Sequence, residues 1–449
     1  MARVRTAKRP RGGPSGDELV LLAWNDLVAM TRGRAAPVSE YPSRRAVGIN
    51  WAMAGHALTP FEDIADNPWG SMDEVHMTPA EETHVRFEVG GGQPAFNMVL
   101  CDAITTDGGT WDSCPRGFLK AAVADLRERH GLELLASPEL EFQLVGGALP
   151  EATPFSLEAF RLMPDLGQRV VEALRAAGCQ PETYEPEYGV GQYEFSCAPA
   201  FGVAAADRIV LAKEVVREVA RRAGLRASFT PKPYPNRPGN GAHIHLSLWS
   251  GGKPATHDPT RPGGLTEKAA RFAAGIVRHM PALCAFAAPS VPSYYRLGPH
   301  HWSAGYACMG VTNREAALRI CLPSKGTAAS VRRRFNLEYR PADGTSSPYL
   351  ALGALVRAGL AGLDEKLPLP PLVQEDPHDM GEARRRELGI RPLHASLGEA
   401  LDALRADPEV CGWFAPNLLD TFIAVKRKEI ALCEGLSPND ISEKYRNAY

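Results

Sequence analysis

The sequence predicts an α+β protein: a small β-rich amino-terminal domain, then a larger domain in which strands and helices are mixed. Three observations carry this. From Asp17 to Cys114, short apolar runs such as Leu19–Leu22 and Met98–Leu100 are separated by glycine and proline punctuation, the pattern of short strands and turns. Past Pro115, long amphipathic stretches each stop at a glycine. Between them, four segments alternate polar and apolar residues with the period of two that marks a strand. At 449 residues the chain could hold about three ordinary domains, or two if one is large.

Composition narrows the class further. With 44% hydrophobic and 23% charged residues, the chain has the make-up of a globular protein. Fifty Lys and Arg against 52 Asp and Glu leave a net charge of −2, without the basic excess that nucleic acid or an anionic membrane surface would require. The most apolar run, Tyr349–Leu363, is broken by Arg357 and is too short to span a bilayer. Residues 1–16 are basic and rich in glycine and proline but have no apolar core, so they read as a disordered leader rather than a secretory signal. Nine cysteines, an odd number without a CxxC, argue against a disulfide framework and for a reducing, cytoplasmic setting.

The elements follow in order. Leu119–His130 is amphipathic and ends at Gly131; Asp165–Ala177 ends at Gly178, and Ala204–Ala223 at Gly224. Each glycine stands where a left-handed helix cap is needed. Lys366–Pro377, with four prolines, reads as an extended linker. Ser396-Leu-Gly-Glu399 is a capping box that opens a helix over Leu397–Arg405, and Asn417–Leu432 reads as the last long helix.

The four alternating strands carry the chemistry. Glu139, Glu141 and Gln143 share one face of their strand, opposite Leu140, Phe142 and Leu144. Gln192, Glu194 and Ser196 align in a second, His243, His245 and Ser247 in a third, and Asn336, Glu338 and Arg340 in a fourth. A solvated outer face would carry Lys, Thr and Ser in mixed order; short acids, imidazoles and a guanidinium on four strands indicate a cleft. Glu139, Glu141, Glu187, Glu194 and Glu338 with His243 would repel unless cations neutralise them. Oxygen donors with one nitrogen suit Mg²⁺ or Mn²⁺ better than Zn²⁺. Arg296, Arg314, Arg319 and Arg340 lie near these strands, and metals with forked guanidiniums suit phosphoryl transfer. Neither a P-loop nor a kinase glycine loop is present.

From about Leu19 to the C-terminus the chain resembles glutamine synthetase in motif order and spacing. The carrying segments are Pro138-Glu139-Leu-Glu141-Phe142, Glu187-Tyr-Gly-Val-Gly-Gln-Tyr-Glu194, Phe229-Thr-Pro-Lys-Pro233, Gly239-Asn-Gly-Ala-His243-Ile-His245-Leu-Ser247, Arg296-Leu-Gly-Pro, Asn313-Arg314 with Arg319, Asn336-Leu-Glu338-Tyr-Arg340-Pro and Ser347-Pro-Tyr-Leu-Ala. The resemblance implies a β-grasp-like domain over 17–114 and a catalytic domain of curved antiparallel strands flanked by helices over 115–449. It implies an ATP-dependent ligase that phosphorylates the γ-carboxylate of glutamate and lets an amine displace the phosphate. Glu141, Glu187 and Glu194 would hold the metal on the glutamate side; Glu139, His243 and Glu338 would hold the one bridging the ATP phosphates. Arg314, Arg319 and Arg340 would clamp the transferred phosphoryl group, and Arg296 would pair with a substrate carboxylate. His245, Ser247, Asn336, Arg319 and Gly239 would lie on the nucleotide and amino-acid side. A ring, two stacked hexamers, is also implied, with active sites between subunits.

The departures fall around the amine. Where the family's flap carries a glutamate, this chain has Trp302, and Asn50 stands for an aspartate that reaches a neighbour's site. Phe155 aligns with a tyrosine of the same pocket, Pro238 replaces an asparagine, and Asn336 replaces an ATP-side arginine. Segment Glu375–Gly389 has no counterpart of the tyrosine that many bacterial enzymes adenylylate. Ammonium must be recognised as a cation and deprotonated, which calls for carboxylates. The expected activity is therefore γ-glutamyl transfer to a small organic amine, the alternatives being an ordinary glutamine synthetase and a catalytically silent relative. Partners on this reading are glutamate, the amine and further copies of the chain.

Overall fold

The apolar runs at the start of the chain become a first sheet: β1 (Leu19–Asn25), β2 (Thr31–Pro37), β3 (Ile49–Ala52), β4 (Glu74–Pro79), β5 (Val85–Phe87) and β6 (Phe96–Ile104). The structure is a computed structural model that describes residues 18–88, 93–147 and 149–449; the expected leader, 1–16, lies outside the described residues. The strand order is β2-β1-β6-β4-β3 with β5 paired to β6, and β1 runs parallel to β6 at the centre. The arrangement is in keeping with the β-grasp-like expectation. Val20, Leu22, Val75, Met77 and Val99 form its core, with Trp24 and Trp111.

The second sheet takes the rest of the strands: β7 (Glu133–Val145), β8 (Pro181–Pro186), β9 (Gln192–Cys197), β10 (Ala200–Phe201), β11 (Arg226–Ser228), β12 (Ala242–Ser250), β13 (Lys253–Pro254), β14 (Tyr306–Val311), β15 (Ala316–Cys321), β16 (Asn336–Tyr339) and β17 (Arg391–Pro392). Its main path is β17-β14-β15-β16-β12-β7-β9-β8. The four strands singled out by alternation are therefore neighbours: β16, β12, β7 and β9 are adjacent and antiparallel. One pair corrects the antiparallel expectation. β14 and β15 run parallel, because residues 312–315 double back instead of closing a hairpin. Thr312 turns the chain at a left-handed φ of 54°, and the Asn313 amide holds the turn by donating to the carbonyls of Val373 and Glu375.

The helices match the expected stretches with small changes at their ends. The first long helix spans Pro115–His130, four residues earlier than read, because Cys114 caps it and Pro115 takes the first turn. Pro164–Ala176 and Val203–Arg222 follow, with Gly178 and Gly224 just beyond them at φ 72° and 74°. At Leu397–Arg405, Ser396 accepts from the Glu399 N–H, but the Glu399 carboxylate takes the N–H of Ala395 and so closes only half the expected box. Pro416–Ala431 is not the last helix. Pro438–Ala448 comes after it, with a full capping box in which Asp440 fills the place where Glu or Gln is the usual sign.

Two helices cross behind the second sheet and form the main core with the apolar strand face, where Leu140, Phe142, Leu144 and Leu246 are buried. Glu267–Ala287 contains Pro281, which hides it from a sequence reading. Its partner, Pro348–Asp364, holds the run Tyr349–Leu363 and is buried along nearly its whole length. Among the described residues, no helix is long and apolar enough to cross a membrane, and all nine cysteines are free. The crossing needs glycine. A β-carbon on Gly275 would stand 1.9 Å from the Ala358 carbonyl oxygen, and one on Gly362 would stand 2.1 Å from that of Arg271. Gly275→Ala should therefore destabilise the fold by about 1–3 kcal/mol through helix separation. Chemical unfolding should show Gly362→Ala costing a similar amount, and the double variant less than the sum, since the first substitution already moves the helices apart.

Candidate active site

Strand register builds the site. Arg319 lies opposite Glu338, and Glu338 opposite His245, across β15, β16 and β12. His243 lies opposite Glu139 across β12 and β7. Glu141 faces Glu194, and Glu194 faces Glu185, across β7, β9 and β8. Directly opposed residues share a sheet face, so the register gathers six chemically active side chains, with Glu185 and Arg319, on one surface.

Two clusters of donors result. In the first, Glu139, His245 and Glu338 each bring a ligand atom within 4.8 Å of the others. His243 joins them, its Nδ1 lying 3.4 Å from Glu139 and 3.6 Å from Glu338. Asn336 fixes the other ring by meeting His245 Nδ1 at 2.8 Å. Glu338 is 1% exposed and receives Arg319 Nη1 at 2.8 Å, with Arg340 on its other oxygen. Burial would raise its pKa, but His243, Arg340, His245 and Arg319 outweigh that and hold it down at about 2. The second cluster is Glu185, Glu187 and Glu194, again within 4.8 Å. Glu141 stands beside it, with one oxygen taken by Gln192 Nε2 at 3.1 Å. Here acids face acids. Burial, then Glu141, lifts Glu187 to about 7, and burial, then Glu139 and Glu141, raises Glu194 further.

The donor chemistry fits hard divalent cations: carboxylates with imidazole in one cluster and carboxylates alone in the other. The pKa values of Glu187 and Glu194 are raised by burial first and by the neighbouring acids second, two penalties that a bound cation would relieve.

The remaining expected residues are spread more widely. Arg340, 2% exposed, spans from Glu338 to the main-chain carbonyl of Trp302. Arg296 is buried and donates to the carbonyls of Arg340, Pro341 and Ala342, so most of its guanidinium holds the backbone. Gly239 lies against it: a β-carbon there would meet the Pro231 carbonyl at 2.5 Å and the Arg296 side chain at 3.1 Å. Ser247 is buried and accepts from the Trp249 indole at 3.2 Å. With Glu139, His245, Trp249, Arg333, Arg334 and Asn336 it lines a cleft of about 420 Å³. Arg314 is exposed in the turn before β15. Asn50 is exposed on β3, an edge strand, where its amide donates to Glu74 at 2.6 Å. Neither is joined to the acid clusters by a contact among the described residues.

Trp302 stands on the flap between Arg296 and β14, 55% exposed and at a left-handed φ of 54°. Its ring meets Tyr188 edge to face at 6.2 Å. The Glu315 carboxylate lies near the N–H groups of Trp302 and His300, and His300 faces Asp376 at 3.4 Å.

Three contributors escaped the sequence reading. Glu185 lies two residues before Glu187 and shares its face; carrying the alternation across Pro186 would have found it. Tyr188 and Glu315 act through a ring contact and a main-chain contact, neither of which has a spacing signature. Gln192, read by alternation with Glu194, bridges to Glu141.

An acid-lined sheet with buried arginines on an α+β frame suits an enzyme that handles phosphate with divalent cations. Comparison with known proteins narrows it. Residues 112–444 match the family described as glutamine synthetase, catalytic domain, and residues 6–111 match the glutamine synthetase N-terminal domain. A gamma-glutamylpolyamine synthetase of Streptomyces coelicolor is 34% identical over 440 residues, covering 96% of this chain and 93% of that protein. A glutamine synthetase of Pyrococcus abyssi is 31% identical over 426 residues, covering 93% and 91%. A crystal structure described as a novel glutamine synthase homolog superposes with a TM-score of 0.89 at 42% identity, covering both chains fully. The chain belongs to the glutamine synthetase family. It is an ATP-dependent ligase.

The charge imbalance has a measurable consequence. Glu187 has a folded pKa of about 7 against an ordinary 4.5. Its protonated form is favoured by folding, so the stability it contributes is present below about 4.5 and is lost as pH rises through about 7. Metal-free protein should therefore melt lower at ~pH 8 than at ~pH 6, and Mg²⁺ should raise the melting temperature more at the higher pH. Equal gains at both values would mean that Glu187 does not face the cation.

Proposed function

We propose that this protein joins an organic amine to the γ-carboxylate of glutamate with ATP as the phosphoryl donor. The observation that carries the reading is the flap. Where recognition of ammonium would call for a carboxylate, the flap presents the half-exposed indole of Trp302 against Tyr188. The Streptomyces relative, a gamma-glutamylpolyamine synthetase, is in keeping with an amine larger than ammonium.

Each side chain then has a task. Glu139, His243, His245 and Glu338 would hold the cation at the ATP phosphates, and Glu141, Glu187 and Glu194 the cation on the glutamate side, as Mg²⁺ or Mn²⁺. Such cations offset charge on the transferred phosphoryl group. Arg319 and Arg340 present guanidiniums toward the same region, fixed by Glu338, and Arg314 on its exposed turn would swing in to complete the clamp. Nucleotide would occupy the cleft lined by His245, Ser247, Trp249, Arg333, Arg334 and Asn336. Arg296 and Gly239 shape the amino-acid side. A desolvated cleft shields the acyl phosphate from water until the amine attacks. Asn50, on the free edge of the first sheet, would face a neighbouring subunit's cleft in a ring of two stacked hexamers.

Phosphate release from ATP and glutamate should be measured across a panel of amines that includes ammonium. Ammonium should be at least about tenfold poorer in kcat/KM than the best organic amine, and Trp302→Glu should narrow that gap. If wild type makes glutamine as efficiently as any γ-glutamyl amide, the protein is an ordinary glutamine synthetase. Glu141→Ala and Glu194→Ala should each abolish metal-dependent ATP turnover, because a cation left short of a ligand is bound weakly. Light scattering tests the ring: a fully active monomer of 48.6 kDa would exclude it.

A further inference from the structure

Three of the largest exposed side chains of the molecule are aromatic and touch one another. Phe155, Tyr188 and Trp302 are 49%, 51% and 55% exposed. Phe155 meets Tyr188 edge to face at 5.0 Å, and Tyr188 meets Trp302 at 6.2 Å. They come from three separate segments: the stretch before helix Leu157–Leu162, the turn between β8 and β9, and the flap. Contiguous apolar surface rimmed by polar groups marks a binding site more often than chance exposure does.

Two features show that the row is built. Phe155 and Trp302 both hold left-handed backbone, φ 57° and 54°, where a bulky residue is disfavoured. The Trp302 main chain is also held at its carbonyl, which accepts from the buried Arg340 guanidinium. The row begins at the acid cluster. Tyr188 follows Glu187 directly and donates its N–H to that carboxylate at 3.2 Å. Glu185, exposed on β8, is the outermost acid of the trio.

Resting on the ligase reading above, we propose that Phe155, Tyr188 and Trp302 form the specificity surface for the amine, with Glu185 as the carboxylate that receives its attacking end, and that the surface is cut for an elongated alkyl diamine or longer polyamine. Ammonium or methylamine could touch one ring at most. A chain with a second ammonium lays its methylenes along the rings and sets the distal cation on the face of Phe155, where a ring quadrupole attracts it. Glu185 supplies the negative charge that Trp302 and Asn50 do not.

The test uses the whole enzyme with Mg²⁺, ATP and glutamate, and compares methylamine, butylamine and 1,4-diaminobutane as probes. Wild type should prefer the diamine. Phe155→Ala and Tyr188→Ala should each lower kcat/KM for the diamine about tenfold, chiefly through KM, while changing methylamine less than about twofold. Tyr188→Phe should restore the diamine value, since the ring and not the hydroxyl is invoked. Glu185→Gln should raise KM for the diamine about tenfold and lower Mn²⁺ affinity, read by calorimetry, only about threefold, the loss of a nearby charge rather than of a ligand; a loss of Mn²⁺ affinity as large as that of Glu194→Ala would make Glu185 a metal ligand and overturn its assigned role. Equal losses for all three amines, or none, would overturn the aromatic surface. Either result would leave the ligase reading standing, because that reading fails only if ammonium is the best substrate or no amine supports turnover.

Discussion

The site depends on one buried carboxylate. Glu338 lies between β12 and β15 with guanidiniums on both oxygens and two imidazoles in front of it. A lone anion at that depth would be expelled or protonated; four cationic or ionisable partners keep it charged. Removing any of them would alter the others, because Arg319 and Arg340 take their positions from Glu338 and His245 takes its position from Asn336. Arg340 then carries the arrangement outward, since its second nitrogen holds the flap at Trp302. The same side chain thus reaches from the first acid cluster to the flap.

The neighbouring acid cluster has the opposite character. Burial, and then the neighbouring acids, raise the pKa values of Glu187 and Glu194, which stand beside Glu185. In the first cluster guanidiniums stand against a buried carboxylate; in the second, acids stand against acids.

Much of this was legible in the chain because strands display chemistry with a period of two. Glu139, Glu141, Glu194, His243, His245 and Glu338 all announced themselves by alternation, and antiparallel pairing did the rest. What stayed hidden has physical causes. Pro186 interrupts the alternation that would have exposed Glu185. Pro281 masks a helix whose partner supplies enough burial to tolerate one missing hydrogen bond. Glu315 acts on main-chain N–H groups, which leave no mark on side-chain spacing. Asn50 was read from motif position alone and Arg314 from its nearness in sequence to the polar strands, and in a single chain both face solvent.

The clamp on Trp302 has a further consequence, in entropy. An exposed indole on a free loop would sample many orientations and would lose them on binding. Here Arg340 has already removed part of that freedom from the backbone during folding. Whatever settles on the ring meets a surface that is ordered beforehand, so selection among ligands falls to shape, desolvation and charge rather than to the ordering of the loop.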